Sequence, residues 1–233
     1  EQMEALAEGG VDLFLLETIF DTLNTKAALM AANRVSRRTK RVIPIMLSVT
    51  IADASGRMLS GQTLEAFLTS VSHDEAILSV GLNCSFGAED MLPHLQLLAE
   101  KSPYLVSAHP NAGLPNEEGV YTETPEMMAK AVGKFVDHKW VNIIGGCCGS
   151  TPEHIRALSI LAEGHESRPL PKGLCTDWLS GLETLNPMKG MFMNVGERCN
   201  VAGSRKFLRL INEKNYDEAL SIARKQVRDG ATI

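Results

Sequence analysis

The chain has 233 residues, is 44% hydrophobic and carries a net charge of -5 at pH 7. This describes an ordinary, mildly acidic globular protein, long enough for one α/β barrel or two smaller domains. No Lys/Arg run is dense enough to suggest nucleic acid, and no apolar run is long enough to span a bilayer. The five cysteines are an odd number without the spacing of a disulfide framework. With a polar opening, Glu1-Gln2-Met3-Glu4, that is no signal peptide, a reducing cytoplasmic location is expected.

Glu1 to Gly10 reads as the end of a helix. Short apolar runs then alternate with longer amphipathic segments: Val11-Leu16, Val42-Val49, Ala76-Leu82, Tyr104-Ala108 and Val141-Ile144. Each run is nearly continuous in apolar residues, as in strands buried on both faces, and their spacing of about 30 residues is that of a strand-helix-strand unit. Thr124-Pro125-Glu126 and Thr151-Pro152-Glu153 place a capping hydroxyl before a proline at the first helical position, with an acid near the positive helix end. Thr63-Leu64-Glu65 and Ala88-Glu89-Asp90 are weaker helix starts. Met91, Leu95, Leu98 and Met127, Ala131, Phe135 mark the expected buried helix faces.

Five such units predict an α/β fold with a parallel sheet, either doubly wound or closed as a barrel. A complete (β/α)8 TIM barrel needs about 250 residues, so five units with a ragged start suggest its C-terminal part, residues 1-165. From 166 to 190 the composition changes: Ser167-Arg168-Pro169-Leu170-Pro171-Lys172-Gly173 is a linker signature. A new pattern occupies 191-233, with a strand at Met191-Val195, a polar loop at Gly196-Asn200 and one or two helices from Ser204 to Asp229. Asp229 to Ile233 reads as a turn and a strand beginning, so a fragment of a longer protein is expected.

Cys84, in Gly81-Leu82-Asn83-Cys84-Ser85, and the pair in Gly145-Gly146-Cys147-Cys148-Gly149-Ser150 all sit at strand-to-helix junctions. Adjacent side chains on a regular strand point to opposite faces, so Cys147 and Cys148 reach one ion only where the strand has ended. The chain lacks the paired C-x2-C knuckles of structural zinc. Ligands scattered over strand ends suit a catalytic site with an open position, and a redox-active vicinal pair is the competing reading. Three thiolates outweigh the charge of Zn2+, leaving a poor activator of water but a good holder of a substrate thiol. A free thiol of pKa about 8.5 is only ~3% ionised at pH 7, so full deprotonation is worth roughly 2 kcal/mol.

Other residues invite two readings each. Glu17, ending the first strand, either binds a substrate ammonium group or caps the next helix. Asn83 orients a thiolate or forms a turn. His109, in His109-Pro110-Asn111, is a fourth metal ligand or a hydrogen-bonded loop histidine, and Arg57 meets a carboxylate or is solvated. Cys175 reads as a small buried hydrophobe and Cys199 as a spectator.

Gly81-Leu82-Asn83-Cys84 followed by Gly145-Gly146-Cys147-Cys148-Gly149-Ser150-Thr151-Pro152 resembles the zinc motif of the homocysteine S-methyltransferase family. Leu16-Glu17-Thr18-Ile19-Phe20-Asp21-Thr22, Thr50 to Arg57 and Ala108 to Pro115 look like the same proteins. The resemblance implies β/α barrels in which Cys84, Cys147 and Cys148 hold zinc and Glu17 lies near the homocysteine amino group. Asn194 to Ser204 resembles the opening of the pterin-binding domain of cobalamin-dependent methionine synthases, which usually have threonine where Cys199 stands.

That second likeness implies a methyltransferase built from a homocysteine barrel, a 5-methyltetrahydrofolate barrel and a cobalamin module of the same polypeptide, with Asn200 on the pterin side. In such enzymes 5-methyltetrahydrofolate recharges cobalamin, and homocysteine takes the methyl group from methylcobalamin to give methionine. The isolated fragment is then expected to be inactive. Alternatives are a family member using betaine or S-methylmethionine, and a zinc- or redox-stabilised binding module.

Overall fold

The computed structural model describes residues 1–171, 178–187 and 192–233. Cys175 and Met191 lie outside the described residues. The chain divides into two units, Glu1–Leu185 and Asn186–Ile233.

The first unit runs α1 (Gln2–Glu8), β1 (Phe14–Ile19), α2 (Thr22–Thr39), β2 (Ile45–Val49), α3 (Leu64–Val71), β3 (Ile77–Gly87) and α4 (Ala88–Lys101). It continues with β4 (Leu105–Asn111), α5 (Pro125–Asp137), β5 (Ile143–Ile144), α6 (Pro152–Ala162), β6 (Leu179–Ser180) and β7 (Thr184–Leu185). Strands β1 to β5 form one parallel sheet in sequential order. Right-handed crossovers between neighbours in that order put every helix on the same face. A doubly wound sheet would reverse its strand order and cover both faces, so the arrangement is that of a barrel segment.

The register shows how the faces divide. Leu16, Leu47, Val80, Val106, and Leu82 with Ala108 and Ile144, stand in paired positions and pack in one core with Leu29, Phe67, Leu95 and Phe135 of the helices. The other face pairs Ser48 with Gly81, Gly81 with Ser107, and Asn83 with His109. Small and polar side chains therefore line the side away from the helices, and the candidate site grows from its C-terminal end.

Capping works as the local chemistry predicts. Thr63 and Thr124 each accept a hydrogen bond from a first-turn backbone N–H, at 3.2 and 3.3 Å. At α6, Thr151 N–H donates to His154 Nδ1 at 3.2 Å. Met91, Leu95 and Leu98 are buried as expected. On α5, however, Met127 is exposed and Met128 takes its place in the core. Met128, Val132 and Phe135 follow the i, i+4, i+7 rhythm of one helix face, whereas Met127 and Phe135 lie about 80° apart around the axis.

The segment after α6 carries a buried anchor. Arg168 is 4% exposed, and its guanidinium donates to the carbonyls of Ala99 (2.9 Å), Tyr104 (3.0 Å) and Ser102 (2.6 Å). The β6–β7 hairpin lies on α3, where Ser180 Oγ donates to Ala66 O at 2.7 Å. Arg57 donates to Gly61 O at 2.8 Å and also pairs with Glu183, so the carboxylate it meets belongs to this chain.

In the second unit, α7 (Arg205–Asn212) and α8 (Tyr216–Arg228) are capped by Ser204 and Asn215. The expected strand before them is not a regular one over 192–195. Asn194 and Gly196 instead bond the last residues, through Thr232 N–H to Asn194 O at 2.8 Å and Gly196 N–H to Ile233 O at 2.7 Å. With Ile233 N–H also on Asn194 O at 3.2 Å, these contacts converge on two residues and do not extend into a ladder. Among the described residues no helix is long and apolar enough to cross a membrane.

Candidate metal centre

Cys84 lies inside β3 rather than after its end. The pairing of β3 with β4 is interrupted between Asn83 and Gly87, and Cys84 and Ser85 take positive φ values of 60° and 62°. Left-handed backbone at two non-glycine residues breaks the strand's alternation, which turns the Cys84 side chain out of the ladder.

Cys147 and Cys148 follow the last residue of β5, and their backbone is tied to β4 bond by bond. Gly145 N–H donates to Ala108 O (3.0 Å), Cys147 N–H to Pro110 O (2.8 Å) and Ala112 N–H to Cys148 O (2.9 Å). The buried Asn111 side chain accepts from Cys148 N–H at 3.1 Å. Gly145 must be glycine because a Cβ there would stand 2.6 Å from the His109 ring.

The three sulfurs meet. Cys84 Sγ lies 3.6 Å from Cys148 Sγ, Cys147 Sγ lies 3.9 Å from Cys148 Sγ, and all three fall within 4.8 Å of one another. Tetrahedral zinc with Zn–S bonds of about 2.3 Å sets its sulfurs about 3.8 Å apart, so the trio fits that ion with one position left for another ligand. A disulfide would need about 2.05 Å. All three thiols are free and half-buried, so the structure contains no bonded vicinal pair.

The thiols differ in proton affinity. Burial pushes Cys147 up to about 11, against an opposing hydrogen bond from the Asn83 amide. Cys148 is held below its usual value, chiefly by its hydrogen bond with Cys84 and further by those with Cys147 and Tyr121. A charged sulfur is favoured wherever donors converge on it.

Among the described residues the three cysteines form the one group of this kind, and His109 is outside it. His109 is instead pushed down in pKa by burial, with Glu17 acting in the opposite sense. Glu17, on β1, is exposed. Asn83 is 2% exposed and hydrogen-bonds to β1, to β2 and to Cys147. It therefore does more than form a turn.

Tyr121 was not legible in the sequence. It stands in the loop between β4 and α5, bridged to Pro115, and its phenol is pushed up in pKa first by burial and then by Cys148 beside it. Its ring lies on Gly149, whose φ is +79° and whose added Cβ would fall 2.4 Å from Tyr121 Cγ. The signal was indirect, a glycine directly after the cysteine pair. In the second unit Asn200 is exposed, with Oδ1 accepting from Ala202 N–H at 3.0 Å. Cys199 is also exposed, and receives a hydrogen bond from Gln226 at 3.1 Å.

A parallel α/β unit with three convergent thiols at the C-terminal end of its strands defines a barrel segment with a group of side chains that could hold a metal ion. Residues 1–161 match the family Homocysteine S-methyltransferase, and the chain belongs to that family. Among solved structures it is similar to the homocysteine methyltransferase MmuM from Escherichia coli. The apo form is 21% identical over 69% of this chain and 53% of that one, with a TM-score of 0.50. The metallated form is 22% identical over 68% and 48%, with a TM-score of 0.51. The chain thus spans about half the length of these proteins.

Proposed function

We propose that this chain holds the zinc and homocysteine site of a methionine-forming methyltransferase, with Cys84, Cys147 and Cys148 as zinc ligands. The convergence of three free thiols at tetrahedral spacing is the observation that carries the reading. Zinc, when bound, supplies charge that keeps a substrate thiol deprotonated near neutral pH while leaving electron density on its sulfur.

The chain's own residues do the holding. The Asn83 amide donates a hydrogen bond to Cys147, and Tyr121 lies beside Cys148 and helps hold its pKa down. Such donors spread the charge of a thiolate-rich site and fix its geometry. Glu17, exposed at the end of β1 on the same side of the sheet as His109, is the proposed partner of the homocysteine ammonium group. The sulfur gains a methyl group and the substrate gives up its thiol proton.

The proposed methyl source is methylcobalamin, recharged by 5-methyltetrahydrofolate, with the cobalamin carried by a module of the same polypeptide in the cytoplasm. What supports this is the second unit. Its Asn194-Val195-Gly196-Glu197-Arg198-Cys199-Asn200 segment is proposed as the opening of a second barrel that binds the pterin, with Asn200 facing it. The test is made on the full-length protein: zinc content, homocysteine-dependent proton release and methionine formation with each donor. One zinc per chain and turnover with 5-methyltetrahydrofolate plus cobalamin are expected. Turnover with betaine or S-methylmethionine alone would refute the donor, and absence of zinc would refute the site.

A further inference from the structure

We propose that Asn83 is the positioning residue of this site: its one amide ties the Cys147 sulfur to the end of β1 and so sets the span between the thiols and Glu17. This rests on the metal centre and substrate reading above.

The orientation of the amide follows from its partners. Thr18 N–H, 3.0 Å from Oδ1, can only donate, so the atom facing it must be the oxygen. The Ser48 hydroxyl donates to the same oxygen at 2.7 Å, which fills both its lone pairs. The NH2 group therefore points the other way, to Thr18 Oγ1 at 3.1 Å and Cys147 Sγ at 3.9 Å. Every hydrogen-bonding position of a side chain only 2% exposed is thus used, on β1, on β2 and on the thiol turn after β5.

What Asn83 holds on β1 is a strained residue. Thr18 has φ +57°, a left-handed conformation that is sterically unfavourable for a β-branched residue. Its N–H and its hydroxyl are both engaged by the same amide. The register of β1 against β2 also shifts between Leu16 and Ile19, around Glu17 and Thr18. The direction of Glu17 therefore depends on a turn that Asn83 maintains. The same amide reaches Cys147, so metal ligand and substrate anchor share one rigid support.

The experiment uses the full-length protein, zinc release to a chelator and steady-state kinetics with homocysteine. Asn83→Asp keeps an acceptor for Thr18 N–H and Ser48 but turns an anionic oxygen toward Cys147. It is expected to release zinc at least about tenfold faster and to raise KM for homocysteine at least about tenfold, with kcat changing less. Ser48→Ala, which removes only one contact on the oxygen side, should stay within about twofold on both measures. Zinc release and KM unchanged in Asn83→Asp would overturn the proposal alone. A wild type without zinc would overturn the metal centre and the proposal with it. If Asn83→Asp does not fold, Thr18→Ala decides: KM severalfold higher with zinc release unchanged supports the proposal, and an unchanged KM overturns it.

Discussion

Cys84 Sγ lies 3.6 Å from Cys148 Sγ across 64 positions of sequence, closer than Cys148 lies to its own neighbour Cys147, at 3.9 Å. The adjacent pair does not define the centre by itself. A residue from another strand closes it, and the interrupted β3–β4 ladder is what brings that residue in.

Replacing Cys84 tests this directly. Cys84→Ser removes one of three soft ligands while leaving the turn around Cys147 and Cys148 in place. Zinc content should drop from one per chain toward zero, and homocysteine-dependent activity should fall by on the order of 100-fold or more. Elemental analysis of the purified full-length variant checks it; retention of a full equivalent of zinc would contradict the assignment.

The order in which the thiols react should follow their environments. In metal-free protein at about pH 8, alkylation should label Cys148 before Cys147, because only the thiolate attacks. Cys147 should lag until the pH approaches about 11, its raised value. Zinc affinity should rise with pH, since binding displaces thiol protons and acid restores them. Mass spectrometry of labelled peptides, with a pH series of zinc titrations, measures both. Faster labelling of Cys147 would contradict the burial argument.

Gly149 offers a steric test. Gly149→Ala forces a left-handed φ of +79° on an L residue and drives a Cβ to 2.4 Å from Tyr121 Cγ. The backbone strain alone is about 1 kcal/mol or more. The variant should melt lower and lose zinc faster, and adding Tyr121→Gly, which also removes the Tyr121 Cβ standing 2.5 Å away, should recover only the part owed to the clash. Calorimetry and chelator competition distinguish these contributions. A wild-type melting temperature in Gly149→Ala would show that the ring does not press on the turn.

Arg168 should matter to stability and not to metal. Its planar fork serves three carbonyls at once, a geometry that a lysine ammonium cannot match. Arg168→Lys leaves buried carbonyls short of donors, so a loss of about 2–4 kcal/mol is expected, with zinc content unchanged. Denaturant unfolding of the full-length protein measures it; an unaltered midpoint would mean that the segment after α6 is only loosely held.

The readable parts of this chain were those in which neighbouring residues carry the message. Apolar runs located β1, β2, β4 and β5 within a few residues, and Thr124-Pro125 and Thr151-Pro152 marked helix starts where the structure has them. The cysteines announced themselves because soft, reactive side chains are rarely placed together at strand ends without a use. Where the pattern was weaker than the packing, the reading slipped. Met127 and Met128 are equally apolar, and only the phase of α5 on the sheet selects Met128. Val11 to Leu13 extend the apolar run of β1, yet pairing with β2 begins at Phe14.

Sequence alone thus determined the alternation of strand and helix, the capped helix starts and the identity of the thiol groups, since each rests on local spacing and chemistry. Tertiary structure decided that β3 continues past Cys84, that Asn83 reaches three other segments, that Tyr121 covers Gly149 and that Arg168 closes the end of α4. Those features depend on distances between residues remote along the chain. Such distances exist only after the sheet has set its register and the helices have taken one of its faces.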